Sequence, residues 1–422
     1  MAVASRTMTT QAQASRIELI FVFIGLVVIG DAFREYVPSS IWQVIRLSYY
    51  GVLLIFVGMN LRTIVPAFIK TPFVTILTLL AVASVVWSAN RPATISRTSA
   101  LVMTTLFAAY FATRFSNVQQ LKILAQTVII LAVFSVIFVF VFPEATSGAA
   151  WKGVFTQKNL FGRVMAMGAL LALCYPFESR RMLLLKFFGY FVMLFFVFMS
   201  DSMTSLLIVV NVTLLSFALR VFRIGIVPGI ALLIAMAIPA ILFILFVTNI
   251  DTDAVLISLG KDPSLTGRTD VWAKVQYAIS ERMWTGYGHG AFFNRWDGIY
   301  GTLWSRNDAF TPGSAHNSYL DVWVNLGIAA PILFVISTAI MYLQALRKVR
   351  MTRKADGLWP VLYLSYLLIL STSEDFILFN SIYWTLYLVI AFSLTVQQKP
   401  AEARQSETIL PSMPYLISPA AN

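Results

Sequence analysis

Long apolar runs alternate with short polar breaks through most of the chain. A bilayer-spanning helix needs about 20 largely apolar residues. That template predicts spans at 17–33, 41–60, 71–88, 94–113, 121–142, 159–177, 182–200, 203–220, 224–249, 318–346, 357–373 and 376–396. The expected fold is therefore an all-α integral membrane bundle of about 12 helices, because only helices and closed barrels satisfy the backbone in lipid. The chain divides into a polar tail (1–16), nine spans (17–249), a long polar stretch (250–317), three further spans (318–396) and a second tail (397–422). The first apolar run lacks a small-residue cleavage site and reads as a span, not a removed signal peptide.

The polar stretch 250–317 stands out against otherwise short connections, and loops of this length in a compact fold usually carry function. It holds both histidines, four of the ten tryptophans (Trp272, Trp284, Trp296, Trp304) and a cluster of glycines. Thr269 can cap a helix in which Val271, Val275 and Ile279 recur at i, i+4 and i+8, an amphipathic pattern suited to the bundle or membrane surface. Gly286, Gly288 and Gly290 resemble a dinucleotide fingerprint only superficially, since that motif needs a preceding strand inside a βαβ unit. A tight loop is the expected structure there. No inverted repeat of the transporter kind is visible.

Composition agrees with the periodicity. Of 422 residues, 59% are hydrophobic and 12% charged, against roughly 45–50% and about 25% in soluble domains. A soluble enzyme, a disordered chain and a nucleic-acid-binding domain are excluded, despite a net charge of +12. The excess of 31 Lys and Arg over 19 Asp and Glu instead sorts by side of the membrane. Arg6, Arg16, Arg62, Lys70, Arg114, Lys122, Arg180, Arg181, Arg220 and Arg223 fall on one side, as do Arg347, Lys348, Arg350, Arg353, Lys354, Lys399 and Arg404. The opposite short loops carry Arg34, Arg91, Lys152 and Lys158, diluted by Glu35, Glu144, Asp201, Glu374 and Asp375. The positive-inside rule then makes both termini cytoplasmic and the long stretch extracytoplasmic. Cys174, the single cysteine, reads as packing filler, and two histidines with one cysteine cannot form a usual zinc site.

Charges within spans are costly and usually face a bundle interior or cavity. Arg46, Arg97 and Arg163 lie in the outer portions of their helices, with Arg91, Lys152, Lys158, Arg268, Arg282 and Arg306 in outer loops. Individually they could snorkel or pair with acids; together they suggest a cationic outward cavity suited to a diphosphate. The acids Glu18, Asp31, Asp201, Asp321, Glu374 and Asp375 all fall near helix ends. None is at the midplane, which weighs against ion-coupled transport. His316, in GSAHNSYLDVW, stands where the next span begins. A helix N-terminus disfavours imidazolium, so a neutral general base for a hydroxyl is one reading and a capping or interfacial residue is the other. His289, in GYGHGAF, has the weaker case. The loop aromatics could stack on sugars or form an interfacial belt.

Four segments bear on family. WKGVFTQKNLFGR (151–163), TGRTDVW (266–272), WTGYGHGAF (284–292) and HNSYLDVWVNLG (316–327) resemble the O-antigen ligase and polysaccharide polymerase family. The Lys158-Asn159 pair looks most like the ExoQ-type exopolysaccharide polymerases, and His316 spaced to Gly327 matches a ligase pattern. The resemblance covers about 80–395 and implies a GT-C-like membrane fold with one large periplasmic loop. It implies a membrane glycosyltransferase of the bacterial inner membrane, needing no cofactor and no metal, that works by inversion at the periplasmic face. The substrates implied are an undecaprenyl-diphosphate-linked glycan donor and a glycan acceptor; a flippase and a chain-length regulator are the partners in prospect, and nucleic acid is not one.

By the same resemblance His316 contacts or activates the acceptor hydroxyl and Arg268 binds the diphosphate. Arg163, Lys158, Asn159 and Arg97 are supporting substrate-binding candidates, and Glu374 with Asp375 is a second candidate base reached from the last loop. Polymerisation of repeat units and ligation of finished polymer to lipid A-core share this donor chemistry. A polysaccharide or lipid transporter without chemistry is the alternative of another class.

Overall fold

The computed structural model describes residues 15–176, 179–222, 268–294, 298–304, 311–352 and 354–396. The expected span 224–249 and all of 250–267 lie outside the described residues. What is described is overwhelmingly helical. In chain order the helices are α1 (Arg16–Ile29), α2 (Ser39–Met59), α3 (Leu61–Lys70), α4 (Pro72–Ala83), α5 (Arg91–Arg114) and α6 (Asn117–Val141). They continue with α7 (Lys158–Cys174), α8 (Arg180–Met199), α9 (Met203–Phe222), α10 (Arg268–Glu281) and α11 (Gly298–Leu303). Last come α12 (Ser318–Leu326), α13 (Ala329–Met351), α14 (Trp359–Ser371) and α15 (Ile382–Val396). A two-residue antiparallel ladder, β1 (Thr146–Ser147) with β2 (Ala150–Trp151), is the only sheet among the described residues.

Five of these helices (α2, α6, α8, α9 and α13) are long and apolar enough to cross a membrane, six when α3 and α4 count as one bent span. The outer surfaces have the character a bilayer demands. Leu184, Phe188, Phe191 and Phe198 of α8 are between 60% and 71% exposed, a continuous apolar face no soluble monomer would carry. The chain is thus a multi-pass membrane protein. Its interior is aromatic, with Trp384, Tyr363, Tyr366, Tyr387, Tyr110 and Phe107 fully buried.

Sequence expectation and structure diverge at three breaks. α3 was expected as loop, yet it is helical and meets α4 at a bend of 97°. Pro72 supplies the bend: it disfavours helical backbone at the residue before it, and Thr71 accordingly has φ −117° and ψ 61°. The last span, expected from 376, begins only at Ile382, leaving Glu374 and Asp375 on irregular backbone. The expected helix 318–346 is two helices broken at Gly327, whose φ is +78°. A Cβ there would stand 1.9 Å from the Trp284 carbonyl oxygen, so chain crowding and a left-handed backbone both require glycine.

A second, smaller apolar core lies under α10, α11 and α12. Val271, Val275, Ala278 and Ile279 pack with Tyr287, Phe292, Tyr300 and Trp304. The expected α10 stripe is therefore buried, but against α12 rather than a lipid surface, and Thr269 lies inside the helix instead of capping it. Gly286, Gly288 and Gly290 all have positive φ (+63°, +102°, +65°), as a tight loop requires. That loop caps α12 from its far end: the N–H groups of Tyr287 and Gly288 donate to the carbonyls of Val324 (3.0 Å) and Asn325 (2.8 Å), which no further helical turn could satisfy.

Candidate functional site

α12 is nine residues long, too short to cross a bilayer, and its N-terminus organises the site. Asn317 is the N-cap: its side-chain oxygen accepts from the N–H of Tyr319 (3.0 Å) and of Leu320 (3.2 Å). The cap reading of His316 is thereby removed. His316 precedes the cap with φ +47°, an uncommon backbone state for a non-glycine residue. The ring is about a third exposed, while Nδ1 is buried without a hydrogen-bond partner. Nε2 is thus the edge that meets solvent.

Nδ1 faces the loop between α14 and α15. It stands 3.9 Å from Glu374 Oε2, and Arg163 Nη1 of α7 stands 3.4 Å from the same oxygen. Ser318 fixes this loop on α12, its hydroxyl donating to the Glu374 carbonyl and accepting from the Phe376 N–H (3.1 Å). Arg163 is itself held: its Nε donates to the Asn159 carbonyl (2.9 Å), its guanidinium lies 5.6 Å from the Tyr383 ring centre, and the Tyr366 hydroxyl donates to its carbonyl (3.1 Å). Both members of the Arg163–Glu374 pair are nearly buried.

Two more carboxyl groups complete the cluster. Asp375, one residue on, has its pKa raised by burial and by the Glu374 charge beside it. Asp321, one turn into α12, accepts from the Ala315 N–H (3.3 Å) and from Asn325 Nδ2 (3.2 Å). Its pKa too is raised, first by burial and then by the negative charge of Asp375. From the sequence Asp321 is only one of several acids near helix ends. Its signal was available in the spacing from Asn317 to Asp321 to Asn325, one helix face at i, i+4 and i+8.

Arg97 of α5 approaches from the other side. Its guanidinium lies 4.9 Å over the Phe379 ring centre, and its stem lies so near Gly290 that a Cβ there would be 2.2 Å from Arg97 Cδ. Among the described residues it forms no ion pair, unlike Arg163. His289, in the glycine loop, is buried, with its N–H donating to Ser84 Oγ (3.0 Å). Burial, and then the Arg97 charge, push its pKa down to about 3, so it is a neutral packed ring and not a base candidate.

Of the sequence candidates, then, His316, Arg163, Glu374 and Asp375 come together, and Arg97 acts on the group through its charge at Asp321. Lys158 does not join them, since it pairs with Asp201 at 2.7 Å. Asn159 enters only through its backbone carbonyl. The side chain of Arg268, at the start of α10, lies outside the described residues, as does all of Arg306. Of the loop aromatics, Trp272 donates to the Ala315 carbonyl (2.9 Å) and Trp304 is buried, so both serve packing, while Trp284 is exposed. Cys174 is buried, as expected of filler.

His316, Glu374 and Asp375 also hold donor atoms within 4.8 Å of one another. A divalent ion would need such donors at about 2.0–2.6 Å from one point. Arg163 already supplies the positive charge at the Glu374 oxygen these residues share.

Residues 188–335 match the family model described as O-antigen ligase. That stretch is similar to O-antigen ligases. The ligase-type segment runs from α8 into α13 and contains Arg268, the glycine loop, His316, Asp321 and Gly327. The similarity points to the O-antigen ligase and polymerase class. Arg163, on α7, and Glu374 with Asp375, on the loop between α14 and α15, are brought to the segment's histidine from outside the matched range. No curated protein matches the chain.

Proposed function

We propose that this protein is a bacterial inner-membrane glycosyltransferase that polymerises undecaprenyl-diphosphate-linked repeat units into exopolysaccharide at the periplasmic face. The observation that carries the reading is the convergence of the ligase-type segment's His316 on Glu374 and Arg163. An acceptor hydroxyl at Nε2 of His316 gives up its proton to the ring as its oxygen attacks the donor's anomeric carbon. Glu374, facing Nδ1, compensates the positive charge that develops on the imidazole, and Arg163 holds Glu374 in place. The anomeric C–O bond breaks with inversion, and its electron pair leaves on the lipid diphosphate. Arg97, which has no carboxylate partner among the described residues, and Arg268 meet that charge. The chemistry so drawn needs no metal, because permanent guanidinium charges do the electrophilic work.

In this reading both termini are cytoplasmic and the glycine loop, α10 and α12 lie on the periplasmic side, with a flippase delivering the donor. The Lys158-Asn159 segment favours polymerase over ligase. The similarity of 188–335 to O-antigen ligases favours the second reading, transfer of a finished polymer to lipid A-core, which would use the same site.

The deciding experiment reconstitutes the purified protein with lipid-diphosphate-linked repeat units in EDTA, without an ion gradient. A ladder of lengthening products supports the polymerase. Transfer to lipid A-core without lengthening supports the ligase, and the absence of both overturns glycosyl transfer.

A further inference from the structure

A groove where α6, α7 and α8 meet lies apart from the site above and is independent of the glycosyl-transfer reading. It holds a cavity of about 280 Å³, just under the roughly 300–1,000 Å³ of small-molecule pockets and so room for part of a larger lipid. Its walls are the first turns of α6, the last turns of α7 and the first half of α8. Among the described residues, Lys122 and Lys186 are the only charged ones that line it; the rest is dominated by small and apolar residues such as Gly168, Leu171, Gly189 and Met193.

Three observations say what fits there. The groove opens beside the lipid-facing residues Leu184, Phe187 and Phe188 of α8, so its occupant comes from the bilayer. Its polar end is cationic. Lys186 Nζ reaches the Leu173 carbonyl (3.2 Å) at the end of α7, the Arg220 charge acts on it from α9, and Arg180 and Arg181 begin α8 beside it. Gly189 keeps the channel open, since a Cβ there would meet no atom within 4 Å. Like charges at the mouth of an apolar slot are neutralised by an anion with an apolar tail, and the basic side of a membrane protein is where anionic lipid accumulates.

We propose that this groove binds a glycerophospholipid with an anionic headgroup, its phosphate held by Lys122 and Lys186 and one acyl chain lying along Gly189 and Leu171. The test is native mass spectrometry of the full chain in detergent, titrated with phosphatidylglycerol, phosphatidylcholine, undecaprenyl phosphate or inorganic phosphate. Phosphatidylglycerol is expected to be retained over phosphatidylcholine, and Lys122→Gln and Lys186→Gln are each expected to weaken it about fivefold. Gly189→Leu fills the channel without displacing protein atoms and is expected to abolish retention while leaving the lipid-free thermal midpoint in place. Because Lys186 also reaches the α7 carbonyl, the exposed Lys122 decides if Lys186→Gln fails to fold. Equal retention of the two phospholipids, retention unchanged in Gly189→Leu, displacement by inorganic phosphate, or preference for undecaprenyl phosphate would each overturn the proposal.

Discussion

Arg163 Nη1 stands 3.4 Å from Glu374 Oε2, joining the N-terminal half of α7 to the loop between α14 and α15. The same oxygen faces Nδ1 of His316, so one ion pair sets the position of the candidate base. A nearly buried pair contributes little over an apolar substitute but is costly to break from one side, by about 3–5 kcal/mol. Arg163→Met and Glu374→Gln should therefore each lower the thermal midpoint, and the double variant should lose less than the sum of the two. Additive losses would show that the pair does not act as a unit.

His316→Ala should reduce glycosyl transfer by about 10²–10⁴-fold, the range typical of a lost general base, with the protein inserted and folded. Asn317→Ala is the matched control. It removes the cap of α12 at a cost of about 1 kcal/mol and should lower the thermal midpoint more than it lowers turnover. A His316→Ala variant with wild-type chain extension would remove the ring from the chemistry.

The helices were legible because each apolar run is its own signal, and the order of α1, α2 and α4 through α9 follows the expected spans. What hydropathy could not show were breaks made by single residues. Thr71 bends the chain because Pro72 follows it, and Gly327 divides an apolar run because the Trp284 carbonyl presses against it from a loop 43 residues earlier. The site was half legible for the same reason. His316 sat in a recognisable motif and Arg163 and Arg97 were conspicuous as charges in apolar surroundings. Which carboxylate faces the histidine, and that Lys158 turns instead to Asp201, depends on packing between helices distant in sequence.

The buried His289 gives the protein an acid-sensitive element. Its pKa lies at about 3, below the ordinary value near 6.5, so between those limits the unfolded chain binds the proton and the native chain does not. Stability from this residue is present above about pH 6.5 and is lost as pH falls toward 3. Asp321 acts in the opposite sense, since its raised pKa means that ionisation above the ordinary carboxylate range weakens the fold. His289→Gln should retain more of its neutral-pH thermal midpoint at pH 5 than the wild type does. An unchanged profile would mean that the ring is protonated or solvated in the native protein.

Gly327 links these parts, because it lets α12 end where the glycine loop can cap it. The Trp284 carbonyl would lie 1.9 Å from any Cβ at this position, and φ is +78°, so Gly327→Ala meets both backbone strain and a contact that only main-chain movement can relieve. Movement there displaces the bonds from the N–H groups of Tyr287 and Gly288 to the end of α12, and the same helix carries His316 at its beginning. The substitution should cost at least about 1–2 kcal/mol and should also reduce turnover, although Gly327 touches no site residue. Gly148→Ala is the comparison: φ is likewise positive at +61°, but a Cβ there meets nothing within 4 Å, and turnover should stay unchanged. Equal effects of the two variants would assign the loss at Gly327 to backbone strain alone, and not to the seat of α12 against the glycine loop.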